Sequence, residues 1–258
     1  MSVSAIPAFL DNYIWLLSDG TNAVVVDPGD AQPVLASLRQ NRLQLTALLI
    51  THHHPDHVGG IAELLLEYPV PVYGPRAEAD RIKGLTQWLD DGETVEVLKL
   101  DFKVLALPGH TLGHIAFYTP GVLFCGDTLF SAGCGRLFEG TPEQMHRSLA
   151  RLADLPGDTR IYCTHEYTLS NLAFASVVEP GNVAIVAHIA RVRALREDRQ
   201  PSLPVTIALE LEINPFLRVR QPAVIDAACR WSGRKLKSEV EIFAALRRWK
   251  DGFRATAP

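Results

Sequence analysis

The stretch LLITHHHPDHVGG (residues 48–60) gathers His52, His53, His54 and His57 around Asp56 in a single short segment. The chain has 258 residues and only nine histidines, so this one loop carries four of the nine. Such crowding is unfavourable in an ordinary structural loop. Protonated imidazoles repel one another, and neutral ones taken out of water each need hydrogen-bond partners. A chance surface tract would not follow the apolar run LTALLI (45–50) and lead through Gly59 and Gly60 into IAELLLEY (61–68). Metal binding explains the pattern, because neutral imidazole and carboxylate are natural ligands.

In an extended segment alternate side chains share a face, so His52 and His54 can clasp one ion while His53 points away as a non-ligand. Pro55 breaks the strand, after which Asp56 and His57 can face a second ion. Gly59 and Gly60 are expected to let the backbone turn sharply into the next helix. Two ions need more ligands than this loop supplies. Three later strands end in suitable groups: His110 in LPGHTLGH, Asp127 in FCGDTLF and His165 in YCTHEY. Strand-end loops are where functional groups collect. His114 competes with His110, but PGHT puts His110 in the turn and His114 in the following strand. His146 and His188 fall on helical patterns and read as structural.

The surrounding chain divides in two. YIWLL, AVVVDPG, LTALLI and RIYCTHEY read as strands, AQPVLASLRQN and IAELLLEY as helices, and TVEVLKL to VLFCGD as several short β-rich runs. TPEQMHRSLARLADLPGD is a helix with Thr141 as N-cap, Pro142 at its first position and Gln144 completing a capping box. Beyond Glu166 helical spacing takes over in LSNLAFASVV, VAIVAHIARVRALRED, AVIDAACRW and SEVEIFAALRRWKD, the last with Ser238 and Glu241 as a capping box. The expected domains are therefore 1–165, α/β, and 166–258, helical. A net charge of −4 with 47% hydrophobic residues supports a sizeable core and offers no basic patch for nucleic acid. The first residues lack the pattern of a signal peptide, and no apolar run is long enough for a bilayer. Cys125, Cys134, Cys163 and Cys229 show no paired spacing, which is consistent with reduced, mostly buried thiols of a cytoplasmic protein. No partner protein is implied, and a monomer is expected.

The motifs T-H-x-H-x-D-H, G-H-T, G-D and the strand-end histidine resemble the metallo-β-lactamase-fold superfamily, which implies a four-layer αββα sandwich of class α/β (α+β). The resemblance implies that His52, His54 and His110 hold one metal, Asp56, His57 and His165 the other, and that Asp127 bridges both. Two such ions about 3.5–4 Å apart lower the pKa of a shared water from 15.7 toward roughly 7, so attack by a bridging hydroxide is expected, with Asp56 and Asp127 as the catalytic carboxylates. Zinc is the first expectation for the two divalent ions, and iron or manganese suit the same ligands.

AGCGRLFEGT, HEYTLSNLAFA, VEPGN, INPFLR and RRWKDGF extend the resemblance over the whole length to the hydroxyacylglutathione hydrolase (glyoxalase II) family, including a smaller all-helical C-terminal domain. This implies hydrolysis of S-D-lactoylglutathione to glutathione and D-lactate, as part of methylglyoxal detoxification. The groups that hold glutathione correspond to Arg136, Tyr167, Arg247 and Lys250. Some members carry Lys and Tyr where this chain has Arg136 and Phe138, and Phe138 cannot donate a hydroxyl hydrogen bond. The alternatives within the fold are a glutathione-persulfide dioxygenase, which uses one iron and typically lacks the helical tail, and another metallo-β-lactamase-fold hydrolase.

Overall fold

The computed structural model describes residues 1–254, so the last four residues of the expected helical domain, 255–258, lie outside the described residues. Two six-stranded sheets face each other. The first runs in chain order through β1 (Ser2–Ala8), β2 (Asn12–Ser18), β3 (Asn22–Val26), β4 (Gln44–Leu49), β5 (Val72–Pro75) and β6 (Gln87–Leu89). Its first two pairings are antiparallel and the other three parallel. The first two parallel steps cross over through helix α1 (Ala31–Asn41) and through a single turn α2 (Pro55–Val58) with α3 (Ile61–Glu67), and the third through a 3-10 turn at Arg76–Glu78.

The sequence shows why this sheet has two covered faces. Along β2 every residue is buried. Tyr13, Trp15 and Leu17 enter the core shared with the second sheet, while Ile14 and Leu16 join α1 and α3 in a separate core. Strand β3 divides likewise, with Val24 and Val26 facing one way and Ala23 and Val25 the other. A near-continuous apolar strand is what burial on both faces requires.

The second sheet contains β7 (Thr94–Val97), β8 (Leu100–Ala106), β9 (Ile115–Thr119) and β10 (Val122–Gly126). After a small ribbon, β11 (Leu129–Phe130) with β12 (Gly133–Cys134), come β13 (Arg160–Cys163) and an edge pair β14 (Val205–Thr206). Helix α4 (Pro142–Ala153) covers this sheet. Its Met145, Leu149 and Leu152 share a core with Phe243 and Leu246 of the tail. The tail is α5 (Thr168–Val178), α6 (Val183–Glu197), α7 (Ile207–Ile213), α8 (Pro222–Ser232) and α9 (Glu239–Gly252). The result is the expected αββα sandwich with a helical C-terminal region. Among the described residues no helix is long and apolar enough to cross a membrane.

Three local expectations sharpen. The capping box on α4 forms in full: the Thr141 hydroxyl accepts from Gln144 N–H at 3.2 Å and Gln144 Oε1 accepts from Thr141 N–H at 2.9 Å. On α9 only half forms, because Glu241 Oε2 accepts from Lys237 N–H rather than from Ser238. Gly59 and Gly60 have ordinary right-handed φ, −59° and −84°, so they do not serve a special turn. They are glycine for space: a Cβ on Gly60 would lie 2.6 Å from Ala31 N and 2.7 Å from Pro28 O.

Candidate metal centre and its basic rim

The histidine loop leaves β4 at Leu49 and reaches the one-turn helix α2, with His54 as N-cap and Pro55 in the first turn. His110, Asp127 and His165 follow β8, β10 and β13 of the opposite sheet. All seven side chains converge where the two sheets meet. His54 Nδ1 lies 3.0 Å from His52 Nε2 and 3.0 Å from His110 Nε2. His57 Nε2 is 3.6 Å from Asp56 Oδ2, and His165 Nε2 is 3.4 Å from the same oxygen. Asp127 stands between the groups: Oδ1 is 3.4 Å from His57 Nε2, and Oδ2 is 3.4 Å from both His110 Nε2 and His165 Nε2. Donors about 2.0–2.1 Å from a tetrahedral zinc are themselves about 3.3–3.4 Å apart, so the 3.4 Å spacings around Asp127 and His165 suit ions between the side chains, while the two 3.0 Å spacings at His54 are also those of direct hydrogen bonds. His57 Nε2 and Asp127 Oδ1 are buried with no hydrogen-bond partner.

The second ring nitrogens fix the tautomers. His110 Nδ1 lies 2.9 Å from the Arg136 carbonyl, which can only accept, so Nδ1 carries the proton and Nε2 is bare. His57 Nδ1 donates to Asp27 Oδ2 at 3.0 Å and His165 Nδ1 to Asp11 Oδ1 at 2.8 Å. The Thr51 hydroxyl donates to Asp27 Oδ2 at 2.7 Å and so accepts from His52 Nδ1 at 3.1 Å. Each partner turns an unprotonated nitrogen toward the cluster, the usual arrangement behind metal-bound histidine. Asn12 donates to Asp56 Oδ2 at 3.0 Å. Asp27 holds φ +52°, a backbone state uncommon for a non-glycine residue, and spans both Thr51 and His57.

Burial foremost pushes His52 far below the ordinary imidazole range and His54 down to about 4. Burial opposes charge on Asp127 too, but His57 and His165 outweigh it and hold its carboxyl well below the usual range. The same attraction raises His57 and His165 despite their burial. Burial thus favours neutral rings at His52 and His54, while Asp127 favours a proton on His57 and His165, which a metal ion would displace to leave the tautomer that Asp27 and Asp11 set.

His53 turns onto Glu78, whose Oε2 accepts from both its backbone N–H and its Nδ1 at 2.7 Å. His114 lies one residue ahead of β9 rather than within it. Fully buried, it accepts the Asp127 N–H at Nε2, 3.1 Å away, and so orients the central carboxylate. His146 and His188 lie on α4 and α6, apart from the cluster. Burial pushes the Cys125 and Cys163 thiols upward, as expected of packing residues, whereas Cys134 lines the cavity.

A cavity of about 600 Å³ opens over the cluster, and it also brings together Arg136, Tyr167, Arg247 and Lys250. The Tyr167 ring stacks on His165 with centroids 4.7 Å apart. Phe138 sets its edge against His54 and His110, leaving an exposed apolar wall beside the cluster. Arg247 is buried, with its guanidinium over the Phe216 ring and Nη1 donating to the Cys134 carbonyl at 2.8 Å. Lys250 Nζ donates to Ser170 O at 3.3 Å and Oγ at 3.2 Å. Burial first, then Arg247 and Arg136, lower its pKa to about 8.

Sequence motifs did not reveal Asp27, Asp11, Asn12 or Glu78. The one available signal was Asp27 itself, an acid at the end of the buried strand beside the one leading to the histidines.

The sequence profile of the metallo-beta-lactamase superfamily matches residues 8–165, and that of the hydroxyacylglutathione hydrolase C-terminus matches 166–253. A hydroxyacylglutathione hydrolase of Cupriavidus taiwanensis is 54% identical over 268 residues, covering 98% of this chain and 100% of that relative. Among solved structures, ETHE1 from Myxococcus xanthus aligns with a TM-score of 0.66 at 25% identity, covering 95% of this chain and 90% of that one. TTHA1623 in a di-iron-bound form aligns with a TM-score of 0.62 at 27% identity, covering 84% and 100%. The chain belongs to the hydroxyacylglutathione hydrolase family of the metallo-β-lactamase superfamily.

Proposed function

We infer that the protein is a thioester hydrolase that converts S-D-lactoylglutathione and water to glutathione and D-lactate. Full-length identity of 54% to a hydroxyacylglutathione hydrolase carries this reading, and the site chemistry supports it. His52, His54 and His110 would hold one divalent ion, Asp56, His57 and His165 a second, and Asp127 would touch both. Zinc is proposed, and iron or manganese could also occupy these ligands. When bound, such ions supply hydroxide at neutral pH and polarise a carbonyl.

The chain's own residues do the positioning. Asp127 Oδ1 and Oδ2 point in two directions, which suits a shared ligand. Phe138 and Tyr167 wall the reaction space with apolar surface, and the Arg136, Arg247 and Lys250 rim meets the carboxylates of glutathione. Residues 1–165 would therefore carry the chemistry and the helical part the grip on glutathione.

Metal analysis and thioester hydrolysis measured on one preparation test the reading. Two ions per chain with hydrolysis of lactoylglutathione are expected. One iron per chain with oxygen consumed on glutathione persulfide and no hydrolysis would replace it with the dioxygenase.

A further inference from the structure

The cations of the rim are not equally free. Arg247 presents Nε and Nη2, the two-donor edge that matches a carboxylate, but both point at Asp251 Oδ1, at 3.2 and 2.9 Å. The same oxygen lies 3.8 Å from Arg136 Nε. Asp251 is thus an internal carboxylate seated between two guanidiniums at the edge of the cavity.

Helix stability does not account for it. Asp251 lies in the last turn of α9, where the dipole disfavours a negative charge, and Arg preceding Asp at i,i+4 is the weaker order for such a pair. Nor is it needed to hold Arg247, which the Cys134 carbonyl and the Phe216 ring already pin in a buried position. We propose that Asp251 competes with the substrate carboxylate for Arg247 and Arg136 and so sets how tightly the rim holds glutathione. Product and substrate carry the same glutathione carboxylates, so a partly neutralised rim lets the product leave. The inference rests on the reading that this rim binds glutathione.

Steady-state hydrolysis of S-D-lactoylglutathione, with glutathione as product inhibitor, tests it in the metal-loaded enzyme with metal content checked in each variant. Because exposed pairs are weak, Asp251→Asn should lower both KM and the glutathione inhibition constant by about three- to fivefold. It should also steepen their dependence on salt, since a rim with one more net positive charge is screened more. Asp251→Glu, which restores the carboxylate, should stay near wild type. A raised or unmoved KM in Asp251→Asn overturns the proposal. Lys250→Ala separates the two levels. If it raises KM while Asp251→Asn does not lower it, only the competitor role fails. If it leaves KM unmoved, the rim is not the glutathione site and both ideas fall.

Discussion

Asp27 offers a sharp test, because nothing in the ligand motifs includes it. Its two oxygens accept three hydrogen bonds: Oδ1 from Thr51 N–H at 2.8 Å, and Oδ2 from the Thr51 hydroxyl at 2.7 Å and His57 Nδ1 at 3.0 Å. Asp27→Asn keeps the shape and replaces one acceptor with an NH2 donor. If the amide oxygen stays on Thr51 N–H, the NH2 faces His57 Nδ1, which then becomes an acceptor. The ring proton moves to Nε2, the nitrogen that faces Asp127 and Asp56. A protonated nitrogen cannot bind metal.

Removing such outer partners typically costs about 10–100-fold in metal affinity, or about 1.4–2.7 kcal/mol. Competition with a chelator of known affinity, followed by metal analysis, should show metal binding weakened by that factor, first at the ion near His57, and at the other ion to the extent that the freed Thr51 hydroxyl turns to His52 Nδ1. Excess metal should recover most hydrolysis. An Asp27→Asn protein that holds both ions within about twofold of wild type would refute the tautomer argument.

Four other expectations follow from the same geometry. Asp127→Ala should lower metal content at both positions and remove most hydrolysis; two ions per chain with normal turnover would exclude a shared ligand. His53→Ala should keep both ions yet cost about 1–3 kcal/mol of stability, since Glu78 loses one of its buried partners; metal loss seen by elemental analysis would contradict it. Lys250 is cationic below its pKa of about 8, so KM for a glutathione thioester should rise as pH passes that value, and a pH profile of Lys250→Arg should lose the rise. Glu210 is fully buried with its pKa raised by burial from 4.5 to about 7. It is protonated in both states at pH 4, but above pH 7 its charge disfavours the fold, so Glu210→Gln should stabilise on the order of 3 kcal/mol at pH 8 and little at pH 4, read by thermal melting.

The seven candidate ligands were legible as one crowded histidine loop and three groups just past strand ends, and their division between two ions came from the family resemblance. The partners that aim them were not legible. Asp27 and Asp11 look in sequence like ordinary turn residues, and only the tertiary fold brings Asp11 to His165, 154 positions away. Gly59 and Gly60 were recognised as special but for the wrong reason, since close approach to Pro28–Ala31 leaves no trace in local sequence. Segment 207–213, IALELEI, alternates like a strand and yet forms α7, because the Thr206 hydroxyl caps it at Leu209 N–H and Ile207 and Ile213 bury on one side. Strand β1 leaves little trace in sequence, because Val3 and Ala5 turn to one core and Ile6 and Ala8 to the other, which breaks a simple polar–apolar alternation.

The position of the site makes its geometry depend on how the two sheets are held together. Four candidate ligands leave the first sheet after β4, and three leave the second after β8, β10 and β13. Their alignment therefore depends on the register between two sheets that share no ladder. Hydrogen bonds across the gap set that register beside the ligands themselves: Ile115 N–H to Thr51 O at 2.9 Å, Tyr13 N–H to Thr164 O at 2.6 Å, and Trp15 Nε1–H to Cys163 O at 3.0 Å. Each joins a residue within three positions of a ligand, or of the Asn12 that orients Asp56, to the other sheet.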